Sequence, residues 1–437
     1  MQKAAMMVRP EDFPVDALNE QCFCLPLDRP SLEAAAAARL GEASAGAAGA
    51  RLEALAAGQP LFLSTSVREA LFARSRAVGG MLLAIARARA EAAGRSFDPE
   101  VLLAAAVFNS FDFHLAADGP KLIEVNTNAG GAFLQPLFLE AAAPSLSERT
   151  GFAPEALLVS AFARLAPGRK LRRVAIVDEA PEQQALYLDM QLAAAALERQ
   201  GIATGILDLR ALRREGGRLM GPNGPIDMVY NRLVDFLFRT PEAEVLREAW
   251  AAGEVIVAPN PDVYRAFADK HLLVALSDPQ TVTSLAPLAG ADPALILATV
   301  PSTEVLDAGN AARLWAGRQD YVFKPADGYG SRGVYRGDKI TRSKWNEILT
   351  QSYLAQRFAA PSHRSLRLAG GISAQKVDIR VWTHGIEPVF AAARLYGGQV
   401  TGFRGPGAGF APILWIEQSC REAGCSEARC EAETCGG

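Results

Sequence analysis

Between residue 170 and about residue 265 the chain alternates short apolar runs with amphipathic stretches, and this rhythm restricts the folds open to it. "KLRRVAIVDE" reads as a strand, "QQALYLDMQLAAAALERQG" as an amphipathic helix closed by Gly201, and "IATGILDLRAL" as the next strand. "PIDMVYNRLVDFLF" carries a third strand, "PEAEVLREAWAAG" a helix, and "EVIVAPNP" a short apolar strand before a turn. "YRAFADKHLLVALSD" follows as a helix. Strands separated by helices pair in parallel and have both faces covered, so this segment predicts a parallel, helix-covered sheet of about 100 residues.

The flanks obey other periods. Residues 30–105 are Ala-rich and read as helical, with Ser31 as a cap. "NSFDFHLAADGPKLIEVNTNAGG" reads as two strands joined by a turn at Asp118, Gly119 and Pro120. Further strands are expected in "DYVFKPADGYGSRGVYRGDKIT", "YLAQRFAAPS" and "AQKVDIRVWTHGIEPVFAAARLY". "GGQVTGFRGPGAGFAPI" reads as a Gly/Pro-rich loop, and the chain beyond Trp415 as a polar, Cys-rich tail. The predicted division is a mainly helical region 1–105, a strand pair within 106–168, an α/β unit at 169–280, a second strand-rich unit at 281–415 and the tail 416–437. With 437 residues, 50% of them hydrophobic, the chain can fill several cores. A net charge of −3 argues against nucleic acid or a membrane surface as partner and leaves a homodimer open. "MQKAAMMVRPEDFP" has no apolar signal core and no run of about 18 apolar residues occurs, so a cytoplasmic protein is expected.

Chemistry concentrates at strand ends. In "KLIEVNTNAGG", Glu124, Asn126 and Asn128 alternate, and side chains two apart on a strand share a face. A carboxylate beside carboxamides is hard-oxygen chemistry suited to Mg²⁺, although a polar strand end capping a turn shows the same pattern. "VFKPADGYGSRGVY" sets Lys324 at the end of an apolar strand, ahead of Gly328, Gly330 and Gly333. Such a loop can direct N–H groups at phosphate oxygens while the lysine supplies charge; an ordinary hairpin with a glycine turn is the alternative. It matches neither the Walker pattern nor the dinucleotide fingerprint. "KVDIRVW" alternates Lys376, Asp378 and Arg380 on one face, which is either solvated or lines a cleft where Arg380 holds a phosphate and Asp378 orients it. Only four histidines occur, with no metal-site spacing.

The order "KP…GxGSxGV", "LAQRF", "DIRV" resembles the nucleotide-binding part of ATP-grasp ligases. The position of "IEVNTN", ahead of these motifs, is similar to the circularly permuted form found in eukaryotic-type glutathione synthetases and, more distantly, glutathionylspermidine synthetase. The resemblance covers residues 100 to 413. It implies a mixed α/β and α+β fold: a permuted ATP-grasp domain, an inserted parallel α/β substrate domain and an Ala-rich helical N-terminal region. It implies ATP and Mg²⁺ as cofactors, with Lys270 and Lys324 as ATP lysines and Ala355, Gln356, Arg357 and Phe358 as the adenine hinge. Glu124, Asn126 and Asp327 would hold the metal. Ser110, Asp112 and Arg232 would face substrate, with Ser110 standing where the family has arginine. The implied activity is ADP-forming amide synthesis on an amino acid or short peptide through an acylphosphate. A phosphotransferase on the same fold, or a degenerate module with a metal- or thiol-handling scaffold role, are the alternatives.

That chemistry needs positioning, charge neutralisation and exclusion of water, and no nucleophilic thiol. The loop "GGQVTGFRGPGAGF" is expected to act as a lid, with Arg404 reaching in, unless it is a plain connection. Cys22 and Cys24 lie near the start, and Cys420, Cys425, Cys430 and Cys435 recur every five residues in the tail. A helix would not gather the tail cysteines on one face, whereas an extended chain could wrap a soft metal ion. Incidental thiols, or a tail that is itself a substrate or its mimic, are the other readings.

Overall fold

The computed structural model describes residues 15–21, 25–142, 152–327 and 333–417, with backbone alone for 42–47. Cys22, Cys24, Gly328, Gly330 and the four tail cysteines lie outside the described residues.

A seven-stranded sheet forms the centre. Its strands run in the order Leu61–Ser64, Gly409–Ile416, Glu387–Tyr396, Gly371–His384, Asn109–Ala116 and Gly119–Asn126, with Ser362–Leu368 paired to a further stretch of Gly371–His384. Every pairing is antiparallel except the first, where Leu61–Ser64 runs parallel to Gly409–Ile416. The early hairpin therefore completes a sheet made mostly of late strands, as the permuted order requires. Two elements differ from the sequence reading. Leu61–Ser64 is a strand inside the region read as helical, and the last part of the expected loop, from Gly409, is strand.

One face of this sheet carries the helix Thr65–Ala92. Ser64 caps it by accepting a hydrogen bond from the Val67 amide at 3.3 Å. Leu71, Val78, Met81, Leu82 and Ile85 recur at helical spacing and pack on Phe111, Phe113, Val377 and Val381. Gly80 permits a close approach of the helix Pro279–Ala289, since a Cβ would stand 2.7 Å from the Ala289 carbonyl oxygen. The opposite face, with Phe62, Trp382, Phe390 and Phe410, packs on Phe133, Phe138 and the helices Arg29–Leu40 and Pro154–Leu165.

The expected parallel sheet is present, in the order Ile256–Ala258, Met228–Asn231, Arg173–Asp178, Ala203–Asp208, all parallel. The helix Tyr187–Arg199 joins one of its faces to the central core, and Leu246 and Ala249 of Glu244–Ala251 cover the other. A four-stranded antiparallel sheet, Thr303–Val305, Tyr353–Arg357, Tyr321–Pro325 and Tyr335–Arg336, has its own small core around Phe323, Trp345 and Ile348. Among the described residues no helix is long and apolar enough to cross a membrane.

Candidate functional site

The early hairpin sets the floor of the site. Asp112 stands opposite Glu124 and Ser110 opposite Asn126 across the antiparallel pair. Asn126 Nδ2 donates to Asp112 Oδ2 at 3.1 Å and to Glu124 Oε1 at 3.3 Å, so Glu124 and Asn126 share a face as the alternation predicts. Asn128 does not join them: its Nδ2 donates to the Leu233 carbonyl at 3.0 Å, because the strand has ended at Asn126.

Lys324 reaches this floor from the four-stranded sheet. Its Nζ donates at 2.7 Å to the Ile123 carbonyl, a partner 201 residues away, and at 2.7 Å to Gln356 Oε1. Burial pulls its ammonium down to about 8, against the opposing pull of Glu124 and with a further push from Lys270. Lys270 is likewise lowered by burial, while Glu124, Asp327 and Asp269 favour its charged form. Glu124, Lys270, Lys324 and Asp327 thus share one electrostatic neighbourhood. Asp327 is its rim: its side chain is 72% exposed and lies 3.7 Å from Arg239 Nη1.

Between the two antiparallel sheets lies a cavity lined by Glu124, Lys324, Val322, Val334, Gln356 and Phe358. Arg336, Arg394, His114 and Tyr396 complete its walls, and Gln399, Val400 and Thr401 close it from the expected lid. His114 Nδ1 contacts the Ala359 carbonyl at 2.7 Å, so that nitrogen carries the proton and Nε2 accepts from the Tyr396 hydroxyl at 3.2 Å. Burial lowers the His114 imidazole and keeps it neutral.

Several predicted site residues are placed differently. Ala355 is fully buried on the opposite face of its strand from Gln356, in the core with Phe323 and Trp345, and does not reach the cavity. Arg357 and Phe358 reach it, but their amides donate to the Ser302 and Asp320 carbonyls at 2.8 Å each, so neither amide is left for an adenine edge. Arg380 is not a free phosphate ligand: its Nε and Nη2 grip Asp112 at 2.8 and 2.7 Å. Asp378 pairs with Arg394 rather than Arg380, at 2.6 Å from its Nε. Ser110 and Asp112, on the first strand of the hairpin, are fully buried and present no exposed surface to a substrate. Burial would raise the Asp112 carboxyl, yet Arg380 and Arg394 hold it well below the usual carboxylate range. Arg404 is exposed and lies outside the cavity wall. Gly333 turns with φ +70° and its carbonyl accepts from the Tyr353 hydroxyl at 3.0 Å; it does not line the cavity.

Arg232 sits apart, at the C-terminal edge of the parallel sheet, 8% exposed, with Nε lacking a hydrogen-bond partner. Its guanidinium lies 5.5 Å from the Tyr230 ring centre and packs so closely on Gly130 that a Cβ there would stand 2.7 Å from Nη2. Nearby, burial pushes the Asp178 carboxyl up to about 6, with Arg232 opposing.

Sequence reasoning missed Arg394, Arg336, Tyr396 and Thr401. Arg394 left a signal in "FAAARLY", where one charge inside an apolar strand demands a buried partner. Arg336 and Thr401 left none, since both are unremarkable residues near turns.

The residues present fit the groups that the resemblance implies. Gln356 Nε2 is a buried donor without a partner on the cavity wall, which a nucleobase acceptor would satisfy. Glu124 and Asn126 Oδ1 are hard oxygens beside two lysines. Mg²⁺ needs only one or two carboxylates when phosphates and water supply the rest. Among the described residues no three His, Cys, Asp or Glu form a self-sufficient metal cluster.

No protein-family model matches the chain. No curated protein matches it in sequence. Among solved structures it is similar to a glutathione synthetase-like effector from Globodera pallida in its apo form, with TM-score 0.52 and 12% identity over 82% of this chain and 89% of that one. It is also similar, at TM-score 0.45 and 13% identity over 79% of this chain and 88% of that one, to a candidate gamma-glutamylcysteine synthetase from Methylobacillus flagellatus KT. The first of these likenesses bears on the fold alone, and with the strand order it identifies a mixed α/β and α+β chain with the ATP-grasp fold in its circularly permuted, glutathione synthetase-like form.

Proposed function

We propose that the chain is an ATP- and Mg²⁺-dependent ligase that joins a carboxylate to an amine through an acylphosphate, acting on an amino acid or short peptide. One observation supports this most: the Lys324 ammonium, from the late sheet, lies 2.7 Å from the backbone carbonyl next to Glu124, on the early hairpin. A carboxylate, a carboxamide and two lysines from three separated segments share one neighbourhood, with Glu124 and Lys324 on the cavity wall.

Mg·ATP, when bound, supplies the phosphoryl group that activates the carboxylate and the cation that spreads its charge. The chain's own groups do the rest. Lys324 and Lys270 neutralise phosphate charge. Gln356, its Oε1 held by Lys324, presents Nε2 to the base, and the Val322, Val334 and Phe358 walls exclude water. Glu124 and Asn126 offer the metal two oxygens. On this reading substrate enters from the parallel sheet's C-terminal edge, beside Arg232, where open α/β sheets bind ligands. The proposal includes a cytoplasmic setting and no nucleic-acid or membrane partner.

The test is a screen of single amino acids and dipeptides for ADP release, with products followed by mass spectrometry. Amine-dependent ADP release with a new amide is the expected result. A phosphorylated product formed without any amine would point to a phosphotransferase instead. Glu124→Gln should abolish turnover with almost no change in melting temperature, because it removes charge and little volume.

A further inference from the structure

We propose that Thr401 is a positioning residue: through a buried relay of Asp378, Arg394 and Asp112 it ties the loop over the cavity to the Glu124–Asn126 pair. The inference rests on the proposed nucleotide site. Each link is a direct contact. Thr401 Oγ1 donates to Asp378 Oδ2. Arg394 bridges two carboxylates, its Nη2 donating to Asp378 Oδ2 at 3.0 Å and to Asp112 Oδ2 at 2.8 Å. Asp112 Oδ2 accepts from Asn126 Nδ2, which also donates to Glu124 Oε1.

The relay does more than hold strands together. The strands carrying Asp112, Asp378 and Arg394 are already joined by backbone ladders. Within the network two guanidiniums, Arg380 and Arg394, balance two carboxylates, Asp112 and Asp378. Glu124 lies outside that balance and acts on Lys324 and Lys270. With Nδ2 held by two carboxylates, Asn126 can offer only Oδ1 to a cation. Asp112 thereby fixes the ligand orientation of Asn126, as outer partners of metal ligands generally do. At the other end, Thr401 is half-buried and lines the cavity beside Gln399 and Val400. Arg394 lines the same cavity and feels the Glu124 charge. A shift of the loop on nucleotide entry therefore makes or breaks the Thr401 bond at one end of a chain whose other end orients the metal oxygens.

Substitution of Asp112 would strand the buried Arg380 guanidinium and destabilise the sheet, so the informative variants are Thr401→Val, which deletes the hydroxyl at constant volume, and Thr401→Ser, which restores it. Two readouts are needed. In the protein without nucleotide, selectively labelled with ¹⁵N-asparagine, the Asn126 side-chain amide resonances should move in Thr401→Val and stay in place in Thr401→Ser. In calorimetric titrations, Thr401→Val should lower the gain in ATP affinity that Mg²⁺ confers by about tenfold, the lower end for outer-shell changes. Affinity in EDTA should be unchanged, and Thr401→Ser should match wild type. Equal losses with and without Mg²⁺ would mean that Thr401 simply touches the nucleotide, and unmoved Asn126 resonances would mean that no relay exists; either result overturns the inference. Wild-type protein that binds no ATP would defeat the proposed function, while the resonance measurement still judges the relay.

Discussion

Lys324 is 4% exposed, and its depressed pKa makes two opposite statements about pH. Its folded-state value of about 8 lies below the ordinary 10.5, so between these values the unfolded chain binds more protons. The group's contribution to stability therefore rises with pH across that window, and its penalty is present in full below pH 8. Phosphate binding runs the other way, because it needs the ammonium. Metal-free ATP affinity should fall by about tenfold between pH 7 and pH 9, and Lys324→Arg should flatten that profile. Lys324→Ala should weaken ATP binding by about 1.5–3 kcal/mol at neutral pH. Calorimetry at several pH values checks all three, and a flat wild-type profile would remove Lys324 from the phosphates. The residue was legible because a lysine ending an apolar strand before glycines has few structural uses. The shared face of Glu124 and Asn126 was legible from alternation, which also took in Asn128 although the strand ends before it. Ala355 should have been excluded by the same rule, since it and Gln356 cannot share a face. Arg380 was not decidable, because its partner Asp112 is 268 residues away and no local pattern announces such a pair.

At the scale of elements, the segment after the hairpin shows how the site is held. Asp189, 3% exposed on the helix Tyr187–Arg199, accepts from the Gly131 and Phe133 amides at 3.0 and 2.9 Å. This pins the end of the Glu124–Asn126 strand to the parallel-sheet unit. Gly131 has φ +91°, and a Cβ there would meet the Phe410 ring at 2.5 Å. Gly131→Ala should cost about 2–5 kcal/mol, from left-handed strain plus overpacking. Gly168→Ala is the control, with φ +69° but open space around it. Gly131→Ala should melt well below that control, and equal melting would refute the packing argument. Regular elements with local periods were readable: the parallel sheet, the helix Thr65–Ala92 and both long hairpins. The strand Leu61–Ser64 was not, because it has only four residues and is defined by a partner some 350 residues later. Gly409–Ile416 was masked by the glycines and prolines that precede and enter it.

For the whole molecule, the central claim is that one nucleotide site is built from an early hairpin and a late sheet with a parallel α/β unit between them in sequence. Its order could be read from the motifs. Its internal wiring could not, since Asp112 on the central sheet pairs with arginines 268 and 282 residues away. The same separation makes the claim testable with one substitution on each side. Calorimetric titration of ATP, with and without Mg²⁺, into wild type, Lys324→Ala and Glu124→Gln addresses it directly. The account predicts single-site binding in wild type, weaker binding in Lys324→Ala under both conditions, and in Glu124→Gln loss only of the increment that Mg²⁺ adds. Wild-type Mg²⁺ dependence retained in Glu124→Gln would contradict it, because the early hairpin would then have no part in the site.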